Sequence, residues 1–419
     1  MIYRFFHTIL QPAIRAWFKR VYLTNVERIP ASNPVMFACN HPSSAMDGIL
    51  LALMLRRPLH FLARSDVFNA PWKRKFLGAI HLLPIYRMQE GYENLTKNDD
   101  TFSECFDLFR RNGTIIIFPE GFNVHEKRLR PLKKGAAKLA LQAQEAISQD
   151  LYIVPVGINY TDAPYPRTEV MVNFGEPILV KEYMNLYQEA KPKAITQLTR
   201  QLAEHIAPEV IHQNHGTEPL AEHCLTLRRP HWDWSGGDIA RLRAEQQICQ
   251  QVNQLYQENP ALYQSLLGEA DAYQAALDKA YVTDLQVVRS QQPTAWLWWL
   301  LRMVGLPLTW LGKAVNFLPL YLAHRLTIQK VKLVEFVATV RFVASAVFYL
   351  LYLLVLLDIS ACFGWLWVVG LLALLSVSGF LGMWLNEIPV SWNSLQQGKT
   401  LMQHRDRLVS QLMKVLPLP

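Results

Sequence analysis

The chain has 419 residues, a formal net charge of +8 at neutral pH, 51% hydrophobic residues and 18% charged residues. This length supports one large core and a further region, while the apolar excess lies mainly in the C-terminal third and therefore indicates a membrane. The positive charge suits an anionic membrane surface or a phosphorylated substrate, whereas the lack of a zinc-finger, basic-zipper or RNA-binding signature argues against nucleic acid as a partner.

Residues 1–20 carry apolar side chains at helical spacing, with Arg4, Arg15, Lys19 and Arg20 between them. The segment lacks the unbroken apolar core and the small-residue cleavage site of a signal peptide. We therefore predict a basic, aromatic amphipathic helix that lies on the membrane surface. Packing of this helix against the domain core is the alternative.

A buried strand is predicted at 35–39 and is followed by a candidate catalytic turn. Because His41 precedes a proline, it is excluded from the helical region and should lie in the turn after the strand. A helix capped by Ser43 or Ser44 would then place Asp47 in its first turn, where the carboxylate can reach the imidazole. Such a pair can act as a general base and its orienting partner. Alternatively, Ser44 and Asp47 form a capping box and His41 is a surface residue.

The following 100 residues alternate between the patterns of strands and helices. Such alternation favours an α/β layered domain with its sites at strand ends. Strands are predicted at 59–63, 82–85, 114–118 and 152–158, and helices at about 44–55, 99–111 and 133–147.

Two of these strands deliver charged residues. Pro84 lies in a short apolar strand that is followed by Arg87, whose guanidinium is suited to bidentate binding of a phosphate. Glu120 and Gly121 follow the Ile-rich strand, where a carboxylate can contact substrate hydroxyls or orient Arg87, and a glycine lets a ligand approach the backbone. A solvated loop arginine and a structural ion pair are the alternatives.

A basic run follows at once and includes Lys133 and Lys134. It can attract a phosphate or a phosphorylated carrier, although a solvated charged face is the more common explanation. The strand that contains Val154 and Pro155 has no reactive side chain, so we expect it to line an acyl pocket or to pack in the core.

Residues 181–290 are predicted to be a helical, charged segment, with helices at 241–258 and 261–280, and carry no evident chemistry. Residues 291–330 are apolar but interrupted by charges and prolines. They therefore suit an interfacial or re-entrant segment better than a clean membrane span.

Two uncharged apolar runs, at about 342–357 and 361–385, predict a transmembrane helical hairpin within residues 331–390. Lysines and arginines flank it on both sides, so the positive-inside rule places the catalytic region and the 391–419 tail on the cytoplasmic face. The five cysteines have neither disulfide nor metal-ligand spacing, which also favours a reducing cytosolic face and predicts no metal site.

Four stretches carry the candidate residues, at 40–47, 82–87, 118–123 and 154–157. In their order and spacing, they resemble the glycerolphosphate acyltransferase and lysophosphatidic acid acyltransferase superfamily over roughly residues 20–180. The resemblance implies that residues 21–180 are an α/β layered acyltransferase domain, followed by the helical segment and the C-terminal transmembrane helical hairpin. It also implies acyl transfer from a thioester of coenzyme A or acyl carrier protein, without a cofactor or metal. His41 and Asp47 are similar to the catalytic pair of this family.

The remaining blocks of the family match Pro84 with Arg87, residues 118–121 and residues 154–156. By this resemblance, one set of residues binds the acceptor phosphate and another is structural or lines the acyl pocket. The first set is Arg87, Glu120, Gly121, Lys133 and Lys134, and the second is Pro84, Val154 and Pro155.

Two departures from the family pattern bear on the acceptor. Five residues separate His41 from Asp47, where the commonest pattern has four, and residues 122–124 replace the usual Thr-polar-Ser continuation of the third block. The longer spacer and the C-terminal membrane region resemble the subgroup that includes glycerol-3-phosphate and dihydroxyacetone-phosphate acyltransferases.

The favoured acceptor is 1-acylglycerol-3-phosphate, which would yield phosphatidic acid for phospholipid synthesis. Glycerol-3-phosphate, dihydroxyacetone-phosphate or another lysophospholipid is the alternative. A non-catalytic membrane lipid-binding protein is an alternative of another class. A hydrolase is disfavoured because the chain has no G-x-S-x-G nucleophile elbow.

Overall fold

An eight-stranded mixed sheet organises the first half of the chain. The computed structural model describes residues 2–86, 98–229 and 237–416. By their contacts, residues 1–212 and 331–340 form unit 1, and residues 213–330 and 341–419 form unit 2. This division differs from the sequence-based boundary at 180, because the helix that carries Leu198 and Leu202 buries both side chains in the core of unit 1.

The sheet confirms the predicted α/β layered fold and adds strands that the sequence analysis did not assign. Every predicted strand and helix of this region is present, whereas the first, seventh and eighth strands are additional. The strands are β1 (Arg20–Thr24), β2 (Val35–Cys39), β3 (Leu59–Arg64), β4 (Leu82–Ile85), β5 (Thr114–Ile117), β6 (Tyr152–Tyr160), β7 (Glu169–Phe174) and β8 (Ile178–Leu179).

Helices cover this sheet and complete unit 1. The core between them is formed largely by alanine and leucine side chains of the fifth helix and by the buried faces of the central strands. The helices are α1 (Ile2–Trp17), α2 (Ala45–Met54), α3 (Pro71–Ala79), α4 (Asn98–Arg110), α5 (Gly135–Ala146), α6 (Met184–Glu189) and α7 (Lys191–Ile206).

The strand order is β1-β7-β6-β2-β5-β3-β4, and β8 also pairs with β6. Strands β2, β3, β4, β5 and β6 run parallel to their neighbours within this set, so their carboxyl ends meet at one edge of the sheet. Ligand sites of open α/β sheets lie at this edge. The segments after β2 and β5 both emerge there, which brings the first and third sequence blocks together.

Unit 2 is helical, as predicted for residues 241–258 and 261–280. A buried ion pair joins Arg405 to Asp284, and the same guanidinium donates to the carbonyl of Leu227. Arg405 is therefore a structural residue rather than a free cytoplasmic charge. The helices are α8 (Glu218–Arg228), α9 (Gly237–Glu258), α10 (Pro260–Ala280), α11 (Asp284–Ser290), α12 (Ala295–Val304), α13 (Leu306–Lys330), α14 (Val337–Ala361, which begins in unit 1), α15 (Trp365–Asn386) and α16 (Trp392–Val415).

Two helical segments, Val334–Ala361 and Trp365–Asn386, are long and apolar enough to cross a membrane. The region predicted as interfacial or re-entrant forms α12 and α13, and α13 packs closely on α15. A Cβ atom added to Gly312 would lie 2.4 Å from the carbonyl oxygen of Ser378, so only glycine permits this approach. The depth of α12 and α13 in a membrane stays a prediction.

Candidate active site

Asn40 fixes the start of the candidate catalytic turn. Its side-chain Nδ2 donates to the carbonyl of Ile158 at 3.0 Å, and its Oδ1 accepts from the N–H of the same residue at 2.7 Å. The amide thus continues the pairing of β2 with β6 by one residue beyond Cys39, where β2 ends. The next residue, His41, leaves the sheet from an anchored position.

His41 and Asp47 form a hydrogen-bonded pair at the carboxyl end of β2. Nδ1 of the imidazole lies 2.8 Å from Oδ2 of Asp47, and the same oxygen accepts the N–H of Ser43 at 2.9 Å. The hydroxyl of Tyr160 donates to the other carboxylate oxygen at 2.8 Å. Asp47 is fully buried, whereas the His41 side chain keeps 15% of its surface exposed. Three donors therefore hold a buried carboxylate in a fixed orientation against one edge of the imidazole.

The capping-box alternative for Ser44 and Asp47 is wrong. Ser44 is the N-cap of α2, but its side chain makes no capping hydrogen bond, and its backbone adopts φ 48° and ψ −138°. A positive φ is strained for serine. The Asp47 carboxylate instead contacts His41, Ser43 and Tyr160, so it stabilises the catalytic turn rather than forming a capping box with Ser44.

The third sequence block encloses His41. The imidazole stacks on Phe118 with ring centroids 3.8 Å apart and an interplanar angle of 13°. The N–H of His41 donates to Oε1 of Glu120 at 3.2 Å, and the carbonyl of His41 accepts the N–H of Val124 at 3.4 Å. Backbone and ring are thus both held, so the imidazole has little freedom to leave the carboxylate.

Glu120 is buried and pairs with Arg130. Nε of Arg130 donates to Oε2 of Glu120, and Nη2 donates to the carbonyl of Phe122 at 2.7 Å. Burial raises the pKa of Glu120, and the charge and hydrogen bond of Arg130 partly offset this rise. Sequence reasoning placed Arg87 or substrate hydroxyls beside this carboxylate, but both of its oxygens already accept donors from the protein.

The candidate phosphate-binding residues differ in backbone conformation and in hydrogen-bond partners. Arg87 lies outside the described residues. Gly121 has φ +82°, and a Cβ added there would lie 3.2 Å from Cγ of Lys133, so this glycine is needed for both its conformation and its space. Lys133 is exposed, whereas the ammonium of Lys134 donates to the hydroxyl of Thr196 at 2.9 Å.

The residues predicted to be structural or to line an acyl pocket lie in the sheet. Val154 and Pro155 are buried in β6, in register with Phe37 and Ala38 of β2. A proline is tolerated there because it lies between the part of β6 that pairs with β8 and the part that pairs with β7. Pro84 lies in the edge strand β4, and its carbonyl accepts the hydroxyl of Thr101 at 2.8 Å.

Sequence reasoning missed the roles of Asn40, Tyr160 and Arg130. Tyr160 ends β6, which extends past the end of β2, but its phenol is 113 residues away from Asp47 in sequence. Arg130 stood only in a general basic run. Its position three residues before Lys133 gave no signal of burial, although 91% of its surface is buried.

The arrangement can remove a proton from a bound hydroxyl, because the imidazole is paired with a carboxylate through Nδ1 and leaves Nε2 for a substrate. Residues 20–159 match the family model described as Acyltransferase. Over these residues the α/β domain is similar to the glycerolphosphate and lysophosphatidic acid acyltransferase superfamily. The matched residues contain all four sequence blocks, including the departures at the His41–Asp47 spacer and at residues 122–124.

Relatives in this superfamily differ in the acceptor that they are named for. The chain is 30% identical over 113 residues to glycerol-3-phosphate O-acyltransferase 2 of Saccharomyces cerevisiae, which is 26% of this chain but only 15% of that protein. It is 25% identical over 182 residues to the 1-acyl-sn-glycerol-3-phosphate acyltransferase of Bacillus subtilis, which is 43% of this chain and 85% of the relative. The crystal structure of the 1-acyl-sn-glycerophosphate acyltransferase PlsC from Thermotoga maritima aligns with 48% of this chain and 78% of its own, at 18% identity and a TM-score of 0.34.

Proposed function

We propose that the protein is a membrane-bound O-acyltransferase that moves a fatty acyl group from acyl-CoA or acyl carrier protein to 1-acylglycerol-3-phosphate, producing phosphatidic acid. The observation that carries this proposal is the His41–Asp47 pair at a strand end, with one imidazole edge held by the buried carboxylate. Within the described residues, Nε2 of His41 makes no hydrogen bond. The chemistry requires no cofactor or metal beyond the acyl thioester, which is a co-substrate.

In the proposed reaction, Nε2 of His41 takes the proton of the acceptor hydroxyl while its oxygen attacks the thioester carbonyl carbon. Asp47 holds the Nδ1–H tautomer and stabilises the imidazolium that forms. The tetrahedral intermediate then expels the thiolate, which receives the same proton from Nε2. The products are an ester and a free thiol, and no acyl-enzyme is needed.

Backbone N–H groups at the start of α2 can stabilise the negative oxygen of the intermediate. The N–H of Ser43 is occupied by Asp47, and that of Met46 has acceptors within the protein. In the part of the chain that the structure describes, the N–H groups of Ser44 and Ala45 make no hydrogen bond. Two adjacent donors at a helix start suit an oxyanion.

The residues around Glu120 form the proposed binding site for the phosphate of the acceptor. Arg130 is fixed by Glu120 and by the carbonyl of Phe122, yet its buried Nη1 has no partner among residues 2–86, 98–229 and 237–416. A buried guanidinium nitrogen that lacks an acceptor supports anion binding. Arg87, Lys133 and the backbone at Gly121 complete the proposed phosphate site, and Lys134 adds positive charge nearby.

Glycerol-3-phosphate, or dihydroxyacetone-phosphate, is the second candidate acceptor. Two observations favour it, namely the five-residue spacer between His41 and Asp47 and the similarity to the yeast protein named a glycerol-3-phosphate O-acyltransferase. All of these acceptors carry a free hydroxyl and a phosphate on one three-carbon backbone, so the same groups can serve each of them.

The test is transfer from labelled acyl-CoA or acyl carrier protein by the purified protein in lipid nanodiscs, with the two acceptors offered separately. We expect labelled phosphatidic acid from 1-acylglycerol-3-phosphate. Labelled lysophosphatidic acid alone would instead support the second candidate. The control is His41→Ala, which should transfer nothing above background. Failure of the wild-type protein with both donors and all phosphate-bearing acceptors would support the lipid-binding alternative.

Exposed aromatic and basic side chains on unit 1 support attachment to an anionic membrane surface. Phe5 of α1 is 60% exposed and Trp72 of α3 is 68% exposed. The two helices meet where Phe6 contacts Phe76 edge to face, with centroids 6.1 Å apart. Exposed Arg74 and Lys75 follow Trp72 in the sequence of α3, so rings and cations share this surface, as interfacial helices require.

The proposed topology places both ends of the apolar hairpin in the cytoplasm, and Cys362 can test it. Cys362 is exposed between α14 and α15, whereas the other four cysteines are buried. A membrane-impermeant maleimide should label the protein only from the non-cytoplasmic side of sealed vesicles. Cys362→Ala is the control, which should abolish labelling. Labelling from the cytoplasmic side would contradict the hairpin.

A further inference from the structure

The first helix after the catalytic turn, α2, begins without help from its own N-cap residue. Ser44 makes no side-chain capping bond, and its backbone has a positive φ. The early N–H groups of a helix need acceptors, which the N-cap side chain normally provides. The N–H of Met46 instead donates to the carbonyl of Ser43 at 3.1 Å and to a second acceptor from elsewhere in the chain.

Thr339 provides that second acceptor. Its Oγ1 accepts the N–H of Met46 at 2.9 Å and donates to the carbonyl of Ser43 at 3.4 Å. One hydroxyl thus bridges both sides of the strained Ser44, which lies between the two residues. Thr339 is 296 residues away from Ser43 in sequence, yet it belongs to the segment 331–340 that packs within unit 1.

The bridged turn is the one that positions the base. The N–H of Ser43 donates to Oδ2 of Asp47, and the same oxygen pairs with Nδ1 of His41. A shift of Ser43 or of the first turn of α2 therefore changes the contact between carboxylate and imidazole. Small displacements of catalytic groups reduce turnover strongly because reaction requires a narrow geometry.

We propose that Thr339 is a positioning residue for the His41–Asp47 base. It lies in the first turn of α14, which continues as the first of the two helices able to cross a membrane. The hydroxyl that completes the catalytic turn is therefore supplied by the segment that begins the apolar hairpin. This inference rests on the acyl-transfer function proposed above.

The test compares Thr339→Val with Thr339→Ser in the full-length protein in nanodiscs. Valine keeps the shape but lacks both hydrogen bonds, whereas serine retains them. We expect Thr339→Val to lower kcat by about tenfold to a hundredfold, with the KM values for donor and acceptor changed less than about twofold. Thr339→Ser should stay close to wild-type turnover. Ser345→Ala, six residues along the same helix, is the matched control and should match the wild type.

A further readout tests whether the hydroxyl of Thr339 holds the catalytic turn. Amide exchange in a peptide covering residues 43–50 should accelerate in Thr339→Val but not in Thr339→Ser. If Thr339→Val is not recovered folded, Thr339→Ala tests the same hydroxyl with a residue that favours helices.

The outcomes distinguish this inference from the function on which it rests. An inactive wild-type protein overturns the proposed function and, with it, any positioning role. An unchanged kcat in Thr339→Val, beside an active wild-type protein, overturns the role of Thr339 alone. Equal losses in the serine and valine variants also overturn it, because serine retains the hydroxyl.

Discussion

Unit 1 has histidines at both edges of its sheet, and the histidines at the two edges have different contact partners. At the carboxyl edge, His41 follows β2 and pairs with the buried carboxylate of Asp47. At the amino edge, His60 begins β3 and His81 precedes β4, and their rings stack with centroids 4.3 Å apart. Tyr3 of α1 stacks on the other face of His81 at the same distance. Among the described residues, no carboxylate contacts either ring.

Burial without a carboxylate partner lowers the pKa values of His60 and His81. The pKa of His60 is lowered to about 4, mainly by burial and then by the neighbouring His81, while a hydrogen bond to Thr114 acts in the opposite direction. The pKa of His81 is also lowered, chiefly by burial. Both rings therefore remain neutral at physiological pH and serve as packing surfaces for α1. A histidine in this domain becomes a candidate base only where a fixed carboxylate accepts its Nδ1–H.

The largest expected effect comes from removing the imidazole at the carboxyl edge. His41→Ala should lower kcat by at least about 10²- to 10⁴-fold, which is the contribution of general-base catalysis. The melting temperature should change little, because the side chain is partly exposed and the backbone of His41 keeps its bonds to Glu120 and Val124. Acyl transfer and thermal unfolding of the same preparation check both expectations.

The matched control for that variant is His81→Asn at the opposite edge. His81 has φ 69°, a conformation that asparagine tolerates better than most residues. We expect lower stability from the lost ring stack but unchanged kcat. If His81→Asn reduced turnover as much as His41→Ala, the distinction between the two edges would be wrong.

Tyr160→Phe should have the next largest effect. The phenol is the donor to Oδ1 of Asp47, so phenylalanine leaves one oxygen of a fully buried carboxylate without a partner. A hydrogen bond to a charged group contributes about 1.5–3 kcal/mol. If this is lost in the transition state, kcat should fall by roughly 10- to 100-fold. Tyr152→Phe, at the other end of the same strand, should leave kcat unchanged.

Local sequence patterns predicted the elements that deliver these residues but not their distant partners. The strand before His41, the turn imposed by Pro42 and the start of α2 all follow from residues that are adjacent in sequence. Propensity and spacing act over that range. The sequence also placed Glu120 at a strand end, but its contact with the N–H of His41 depends on the pairing of β2 with β5.

The rest depends on packing between segments that are far apart in sequence. Tyr160 reaches Asp47 because β6 is longer than β2, and Thr339 reaches Met46 because residues 331–340, between the two parts of unit 2, belong to unit 1. Neither contact has a local signature. Arg130 was hidden for a similar reason, since the loop that buries it follows no regular period.

Arg130→Lys tests whether the carboxyl edge recognises a phosphate. Lysine keeps the positive charge beside Glu120 but lacks the guanidinium fork, including the unpartnered Nη1. We expect the KM of the phosphate-bearing acceptor to rise by about tenfold, which corresponds to ~1.4 kcal/mol of binding, with a smaller change in the KM of the acyl donor. Arg111→Lys, a conservative change at an exposed arginine, is the control. An unchanged KM for the acceptor would mean that Arg130 only pairs with Glu120 and does not bind the phosphate.

The smallest effect concerns the amino edge and is read from stability rather than activity. Because the pKa of His60 in the folded protein lies near 4, below its ordinary value of 6.5, the unfolded chain binds the proton more readily between these values. The stabilisation from a neutral His60 is therefore complete above pH 6.5 and is lost as pH falls towards 4. His60→Phe retains a ring but removes this titration. Between about pH 7.5 and about pH 5, the melting temperature of the wild type should therefore fall relative to that of the variant. Tyr152→Phe, which leaves every histidine in place, should follow the wild-type curve. Parallel curves for the wild type and His60→Phe would mean that the pKa of His60 is the same in the folded and the unfolded chain, and burial at the amino edge would then not hold this ring neutral.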